Sequence, residues 1–103
     1  MATFTPHQVY TPVTICQIDG AFAWCIFDEE KIYMANVWVK PTARKQGKGR
    51  EMMMAIKENY SKHTIHTDYE SESKGFWTKM FDEGIVDKVH HNRINFDWAF
   101  IKA

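Results

Sequence analysis

Hydrophobic residues fall into short runs of two kinds, and these predict six strands and two helices. Apolar positions that alternate or run almost unbroken between turn signals are typical of strands, and Asp19-Gly20 is such a turn signal. The strands are predicted at residues 13–18, 21–27, 32–39, 64–69, 85–91 and 94–102. Residues 1–11 are largely polar and contain Pro6, so they are predicted to form an irregular lead-in.

Two stretches carry apolar residues at the spacing of a helix face. The first helix is predicted at 47–60, with Met52, Met53, Ile56 and Tyr60 on one face. The second is predicted at 72–83, with Phe76, Trp77, Met80 and Phe81 along one side and Gly84 ending it. The order β-β-β-α-β-α-β-β indicates an α/β (α+β) fold with a mixed sheet, whose first three strands form an antiparallel meander.

Length and charge narrow the class of protein. A chain of 103 residues is predicted to be a single domain, 1–103. Its zero net charge argues against a nucleic-acid or membrane partner, because no global field attracts one. With no signal peptide and no membrane-spanning run, we expect a cytoplasmic protein. Cys16 and Cys25 lie in apolar stretches without metal-ligand spacing, so buried thiols and no metal site are expected.

A basic, glycine-rich loop lies between the third strand and the first helix. Its basic residues all precede the first acid of the helix; they are Lys40, Arg44, Lys45, Lys48 and Arg50. Glycines let the backbone approach an anion, and a helix N-terminus offers unpaired N–H groups and partial positive charge. The glycine spacing fits neither a nucleotide P-loop nor the dinucleotide fingerprint. An anion site is therefore predicted; the alternative is a solvated basic loop at an ordinary helix start.

The loop sequence Arg44-Lys45-Gln46-Gly47-Lys48-Gly49 resembles the acyl-CoA loop of the GCN5-related N-acetyltransferases, Arg/Gln-x-x-Gly-x-Gly/Ala, and Val39-Lys40-Pro41 resembles its usual entry. The element order is similar to the core of that family from its second strand onward. Only about a dozen residues precede Val13. We therefore expect a short, acyl-CoA N-acyltransferase-like domain without the family's N-terminal helices.

The resemblance implies that acetyl-CoA binds here as a substrate. The backbone of Val37, Trp38 and Val39 would align its pantetheine arm, although a plain core strand is the alternative for these residues. The pyrophosphate would lie on the backbone N–H groups of Lys45, Gln46, Gly47, Lys48 and Gly49. Arg44 or a neighbouring lysine would meet the phosphates.

Candidate catalytic residues lie on the second helix and on the strand before it. The run Phe76-Trp77-Thr78-Lys79-Met80 resembles the family pattern Phe-Tyr-x-Lys-Leu, so Trp77 stands where a tyrosine commonly serves as general acid. Its indole N–H is not usefully acidic. His66 and Asp68 alternate on one face of their strand, near the point where it should diverge from 32–39. Either could relay a proton; the alternative is a polar pair on a solvated face.

These residues predict an acetyl-CoA-dependent N-acetyltransferase that acts on an amine of a small molecule or protein. The alternative is a catalytically weakened CoA-binding module that acts through a protein partner, which the tryptophan at position 77 favours. Missing N-terminal helices would expose apolar surface, so a homodimer or a larger protein partner is expected.

Overall fold

In a computed structural model, residues 2–10, 13–68 and 74–90 are described, and they form a six-stranded mixed sheet with two α-helices. The strands are β1 (Thr3–Pro6), β2 (Val13–Ile18), β3 (Ala21–Asp28), β4 (Lys31–Val39), β5 (Thr64–Asp68) and β6 (Lys88–His90). The helices are α1 (Lys48–Asn59), α2 (Lys74–Asp82) and a 3-10 turn at Pro41–Ala43. The predicted strand 94–102 and the predicted end residues 69, 72, 73 and 91 lie outside the described ranges.

Spatial order in the sheet follows chain order from β1 to β6. Strands β1 to β4 pair antiparallel, whereas β5 is parallel to both β4 and β6. This change of direction follows from the two helices, because each one carries the chain back across the sheet before the next strand. The predicted mixed α/β class is confirmed.

The first residues form a strand rather than the irregular lead-in predicted for 1–11. β1 pairs with β2, and Phe4 lies opposite Cys16. The Phe4 ring packs edge-on against Tyr60 with 5.3 Å between ring centroids. Among the described strands β1 lies at the edge of the sheet, and an edge strand tolerates proline because one of its sides makes no ladder hydrogen bonds. The prediction failed because a tertiary contact with the end of α1, which local pattern does not show, stabilises this strand.

The core lies between the sheet and the two helices. In α1 the predicted Met52, Met53 and Ile56 are fully buried, and Tyr60 packs against them. The sheet contributes buried residues from its central strands, including Cys16, Ala23, Cys25, Ile32 and Ile65. Both cysteines are free and buried, as predicted. None of the described helices is long and apolar enough to cross a bilayer.

α2 ends in a Schellman turn. Gly84 adopts a left-handed φ of 76° and donates its N–H to Phe81 O at 3.0 Å, while Ile85 donates to Met80 O at 3.0 Å. Ile85 and Met80 are both buried beneath the turn. Two predictions were wrong here: Phe81 is 50% exposed, because the helix turns it away from the core, and Ile85 belongs to the turn rather than to a strand.

Asp87 fixes the start of β5. Its N–H donates to Ile65 O at 2.9 Å, and its Oδ2 accepts the Ile65 N–H at 2.8 Å. Lys57 of α1 places its Nζ 3.4 Å from the same carboxylate. The first half of β5 is thus tied to α1 and to the turn after α2.

Candidate functional site

A gap opens in the sheet where β4 and β5 diverge. Their pairing ends at Tyr33 and His66, although both strands continue beyond these residues. On its other side, β4 contains a bulge: Trp24 lies opposite Asn36 while the next residue of β3 lies opposite Met34, which leaves Ala35 as an extra residue. A bulge bends a strand and increases its twist. The bend and the end of pairing together leave a space between the two parallel strands.

A cavity of about 800 Å³ occupies this space. Its described walls are β4, the loop after it, the last residues of β5, and α2. The residues that line it are Trp24, Met34, Ala35, Val37, Val39, Ala43, Arg44, Lys45, Gly47, Lys48, Gly49, Arg50, Thr67, Asp68, Phe76, Trp77, Lys79 and Met80. The cavity is therefore mostly apolar along the strands and α2, apart from Thr67, Asp68 and Lys79, and strongly basic at the loop.

The start of the loop is anchored on the turn between β2 and β3. Lys40 donates its N–H to Gly20 O at 2.7 Å. Gly20 has a φ of 91°, and a Cβ built there would lie 2.9 Å from Cβ of the buried Ala43. Glycine is therefore required at this turn both for its left-handed backbone and for its close approach to the 3-10 turn Pro41–Ala43.

The end of the loop turns sharply into α1. Lys45 and Gly47 have φ values of 65° and 72°, and Gly47 is the N-cap of the helix. Turns that combine left- and right-handed residues form concave, N–H-lined sites for anions. A left-handed lysine costs about 1–2 kcal/mol relative to an ordinary backbone, and strain of this kind clusters at functional sites. The backbone conformation, as well as the basic composition, is typical of an anion site.

The first turn of α1 is held against α2. A Cβ at Gly49 would lie 3.0 Å from Cε1 of Phe76, so the missing side chain makes room for α2. Arg50 Nε lies 2.8 Å from Glu83 Oε1 just beyond α2. Both loop glycines were expected to let the backbone approach an anion, whereas the missing side chain of the second one makes room for an aromatic ring.

Basic side chains dominate the mouth of the cavity. The described lining contains five of them, Arg44, Lys45, Lys48, Arg50 and Lys79, and one acid, Asp68. Acids partly neutralise two of the bases: Lys48 Nζ lies 3.8 Å from Glu51 Oε2, and Arg50 is paired with Glu83. Within the described ranges, Lys45 and Lys79 have no ion-pair partner. Positive charge therefore remains available at the mouth for an anionic ligand.

The sequence-predicted loop residues divide into two groups. Val37, Val39, Arg44, Lys45, Gly47, Lys48 and Gly49 line the cavity, whereas the side chains of Trp38 and Gln46 do not. Trp38 is 43% exposed, with its ring centroid 5.5 Å from that of Phe22. Gln46 Nε2 donates to Thr42 O at 3.2 Å. The roles predicted for these two residues involve only their main chains, and those roles remain predictions.

The comparisons with known proteins bear on the fold. No protein-family model and no curated protein matches the sequence. Among solved structures, the chain is similar to the ribosomal-protein-S18-alanine N-acetyltransferase of Escherichia coli, with a TM-score of 0.59, 17% identity, and coverage of 76% of this chain and 54% of that one. The chain has the acyl-CoA N-acyltransferase fold. It spans about half the length of that acetyltransferase.

A second similar structure is AAC(6')-Iy in complex with the bisubstrate analog CoA-S-monomethyl-acetylneamine. Its TM-score is 0.49 and its identity 15%, over 82% of this chain and 66% of that one.

The fold places two of the three candidate catalytic residues at the cavity. Trp77, only 5% exposed, and the half-buried Asp68 both line it. His66 is absent from the described lining: its Nε2 is 2.9 Å from Thr64 Oγ1, and its Nδ1 is 3.2 Å from His90 Nε2. Burial, the neighbouring His90 and Lys31 lower the pKa of His66. At 9% exposure it does not fit the solvated-face alternative.

Several lining residues were not predicted from the sequence as site residues. Trp24, Ala35 and Thr67 are separated from the loop along the chain, and only the bulge and the divergence of β4 from β5 bring them to the cavity. Lys79 and Phe76 could have been predicted as site residues, since both belong to the run that resembles the family's helix pattern. Nothing in the sequence distinguishes Trp24 from any other aromatic residue of a strand.

Proposed function

We propose that this chain is an acetyl-CoA-dependent N-acetyltransferase that acts on an amine of a small molecule or protein. The observation that carries the proposal is one cavity that joins the gap between β4 and β5 to the basic N-terminus of α1. An acyl-CoA fits such a cavity, because its polyanionic nucleotide would lie at the basic end and its neutral arm and thioester would lie in the gap.

The acyl-CoA would lie along this cavity with its phosphates at the loop and its thioester in the gap. Backbone N–H groups from Lys45 to Gly49 would hold the pyrophosphate, with Arg44 and a lysine meeting the phosphates. The pantetheine arm would follow β4 at Val37–Val39, where a strand that diverges from its neighbour leaves main-chain groups available for it. The thioester would then reach the gap near Asp68 and Trp77.

The transfer needs a neutral amine and a departing thiolate. The amine nitrogen attacks the thioester carbonyl carbon, a C–N bond forms, and the C–S bond breaks with release of the CoA thiolate. The proton lost by the amine would pass to Asp68, directly or through water. Trp77 would bound the thioester rather than act as an acid, since its N–H does not titrate usefully, so water or the released proton would neutralise the thiolate.

Two matched substitutions of one residue test the donor site. Asn and Asp tolerate a left-handed backbone best among the non-glycine residues, so Gly47→Asn and Gly47→Asp should both fold. They differ in one negative charge placed where the phosphates are proposed to lie. We expect Gly47→Asp to weaken CoA affinity in calorimetry by at least about tenfold more than Gly47→Asn. Equal affinities for CoA, with both proteins folded, would contradict the assignment.

The alternative function is a CoA-binding module that acts through a second copy or a larger protein partner. Two observations favour it: the tryptophan at position 77, and the exposed Trp38, which packs against the half-buried Phe22 on the sheet face opposite α1. A thiol-release assay across a set of amines separates the two functions, because a module would bind CoA without releasing thiol. Sedimentation at increasing concentration tests for the second copy.

A further inference from the structure

A row of three residues crosses the sheet at the level of the gap. His66 pairs with Tyr33, and two positions further along each strand Asp68 and Ala35 lie on that same face, on the two sides of the gap that opens where pairing ends. On the third strand, Trp24 lies opposite Asn36, next to Ala35. Trp24 and Ala35 belong to the cluster on the face away from the helices, yet both line the cavity. The cavity therefore reaches that face.

Trp24 is held in place by the segment that follows β1. The His7 ring lies edge-on to it at 4.8 Å, and the Tyr10 ring lies 5.9 Å away. His7 is itself fixed, because its Nδ1 accepts the N–H groups of Val9 and Tyr10, each at 3.0 Å. An aromatic wall positioned before binding costs little further ordering when a ligand packs on it.

The charges of the lining restrict what can occupy this end. Asp68 is the single acid among the described lining residues, and its carboxylate attracts an ammonium group. A second ammonium would find no further acid on the described walls, and five basic side chains share the cavity with it. Ala35, the small bulged residue between the acid and the indole, leaves space between them.

We propose that the acceptor enters from the face away from the helices and is a monoamine that carries a flat apolar group. Its ammonium group pairs with Asp68, and its flat group packs on the indole of Trp24. One strand spacing of about 4.8 Å between β3 and β4, together with the wider gap between β4 and β5, separates the two backbones, and we expect side chains and a short aryl-alkylamine to bridge this distance. This inference rests on the proposed acetyltransferase function and specifies its acceptor.

The test measures amine binding to protein already saturated with CoA. Phenethylamine, butylamine and putrescine are titrated by calorimetry into the wild type and into Trp24→Leu, Asp68→Asn and Phe22→Leu. Phe22 is the control, because it is an aromatic residue of the same strand and face that does not line the cavity. We expect phenethylamine to bind about tenfold more tightly than butylamine or putrescine.

Trp24→Leu should remove this preference while the affinities for butylamine and CoA stay within about twofold. Asp68→Asn should weaken all three amines, and Phe22→Leu should change none. A wild type that prefers putrescine, or a Trp24→Leu protein that loses both monoamines equally, overturns the inference. If Trp24→Leu does not fold, Trp24→Phe takes its place, and retention of the preference is then required. CoA binding without amine binding refutes this inference alone, whereas failure to bind CoA refutes the proposed function.

Discussion

Gly49 and Phe76 pack so closely that a Cβ added to the glycine would lie 3.0 Å from Cε1 and 3.1 Å from Cζ of the ring. The two residues belong to the first turn of α1 and to α2, which form adjacent walls of the cavity. The second glycine of the loop thus sets the distance between the anion-binding turn and the helix that carries Trp77.

Gly49→Ala is predicted to destabilise the protein by about 1 kcal/mol. The methyl group must displace the ring of Phe76, and this cost exceeds the gain in helix propensity from glycine to alanine. The displacement also moves α2 away from the loop, so CoA affinity should fall with stability. Chemical denaturation and calorimetry measure the two effects.

Two further variants control this prediction. Gly49→Ala combined with Phe76→Leu should recover part of the loss, since leucine leaves room for the methyl group. Gly75→Ala in α2 should be neutral or stabilise by a few tenths of a kcal/mol, because a Cβ there meets nothing within 4 Å. A destabilised Gly75→Ala, or a Gly49→Ala protein as stable as the wild type, would show that the contact is not tight.

We predict that the folded protein loses stability in mild acid because of His66. Burial first, and then the charges of His90 and Lys31, lower the pKa of His66 from its ordinary value of 6.5. As pH falls below about 6.5, His66 is protonated more readily in the unfolded chain than in the folded protein. The free energy of unfolding therefore decreases. Above that pH the residue is neutral in both states and contributes no dependence.

The measurement is denaturant unfolding at about pH 8 and about pH 5.5 for the wild type and His66→Gln. Glutamine cannot take up the proton, so the variant should lose less stability between the two pH values than the wild type does. Identical losses would show that His66 is protonated as readily in the folded protein as in the unfolded chain.

We also predict that the folded protein loses stability in alkali because of its two buried cysteines. Burial raises the pKa of Cys16 from 9.0 to about 11, and burial together with the neighbouring Cys16 raises that of Cys25 to about 12. Above about pH 9, the unfolded chain releases thiol protons that the folded protein retains, so the free energy of unfolding falls as pH rises toward 11. Below pH 9 both states are protonated and no such dependence exists.

Cys25→Ala tests this effect, because it removes the thiol whose pKa is raised to about 12 and, with it, the part of the raised pKa of Tyr60 that comes from Cys25. The variant should start from a lower stability, because it leaves a small cavity, but should show a flatter decline between about pH 9 and pH 11. In the wild type at neutral pH, both thiols should react with an alkylating reagent only as fast as the protein opens. Rapid alkylation of the folded protein would contradict their burial.

Local sequence pattern predicted most helices and strands, whereas β1 and the end of the site at the gap depend on long-range contacts. The Met52, Met53 and Ile56 stripe identified the buried face of α1 because helical spacing is local. β1 was missed because Phe4 is stabilised by Tyr60, more than fifty residues away in the chain. The basic end of the site was predictable from a continuous loop, whereas the end at Trp24 and Asp68 depends on the bulge in β4 and on the divergence of β5 from β4.

A fourth prediction concerns Trp77, which stands where the resemblance places a proton donor. It is 5% exposed, lines the cavity, and packs edge-on against Phe76 at 4.8 Å, so it supports the core as well as bounding the site. If acetyl transfer occurs, departure of the thiolate lacks an acidic side chain at this position. We therefore expect a slow enzyme in which Trp77→Tyr preserves or raises turnover, because the phenol can donate a proton.

Trp77→Ala should instead cost about 3–5 kcal/mol of stability through lost packing, with a corresponding fall in melting temperature. Turnover with one good amine acceptor is compared for the three proteins, alongside melting temperature and CoA affinity, so that loss of fold is separated from loss of chemistry. A fast wild type that Trp77→Tyr inactivates would show that Trp77 does not occupy the position of a proton donor. No turnover in any of them, with CoA still bound, would favour the CoA-binding module over the enzyme.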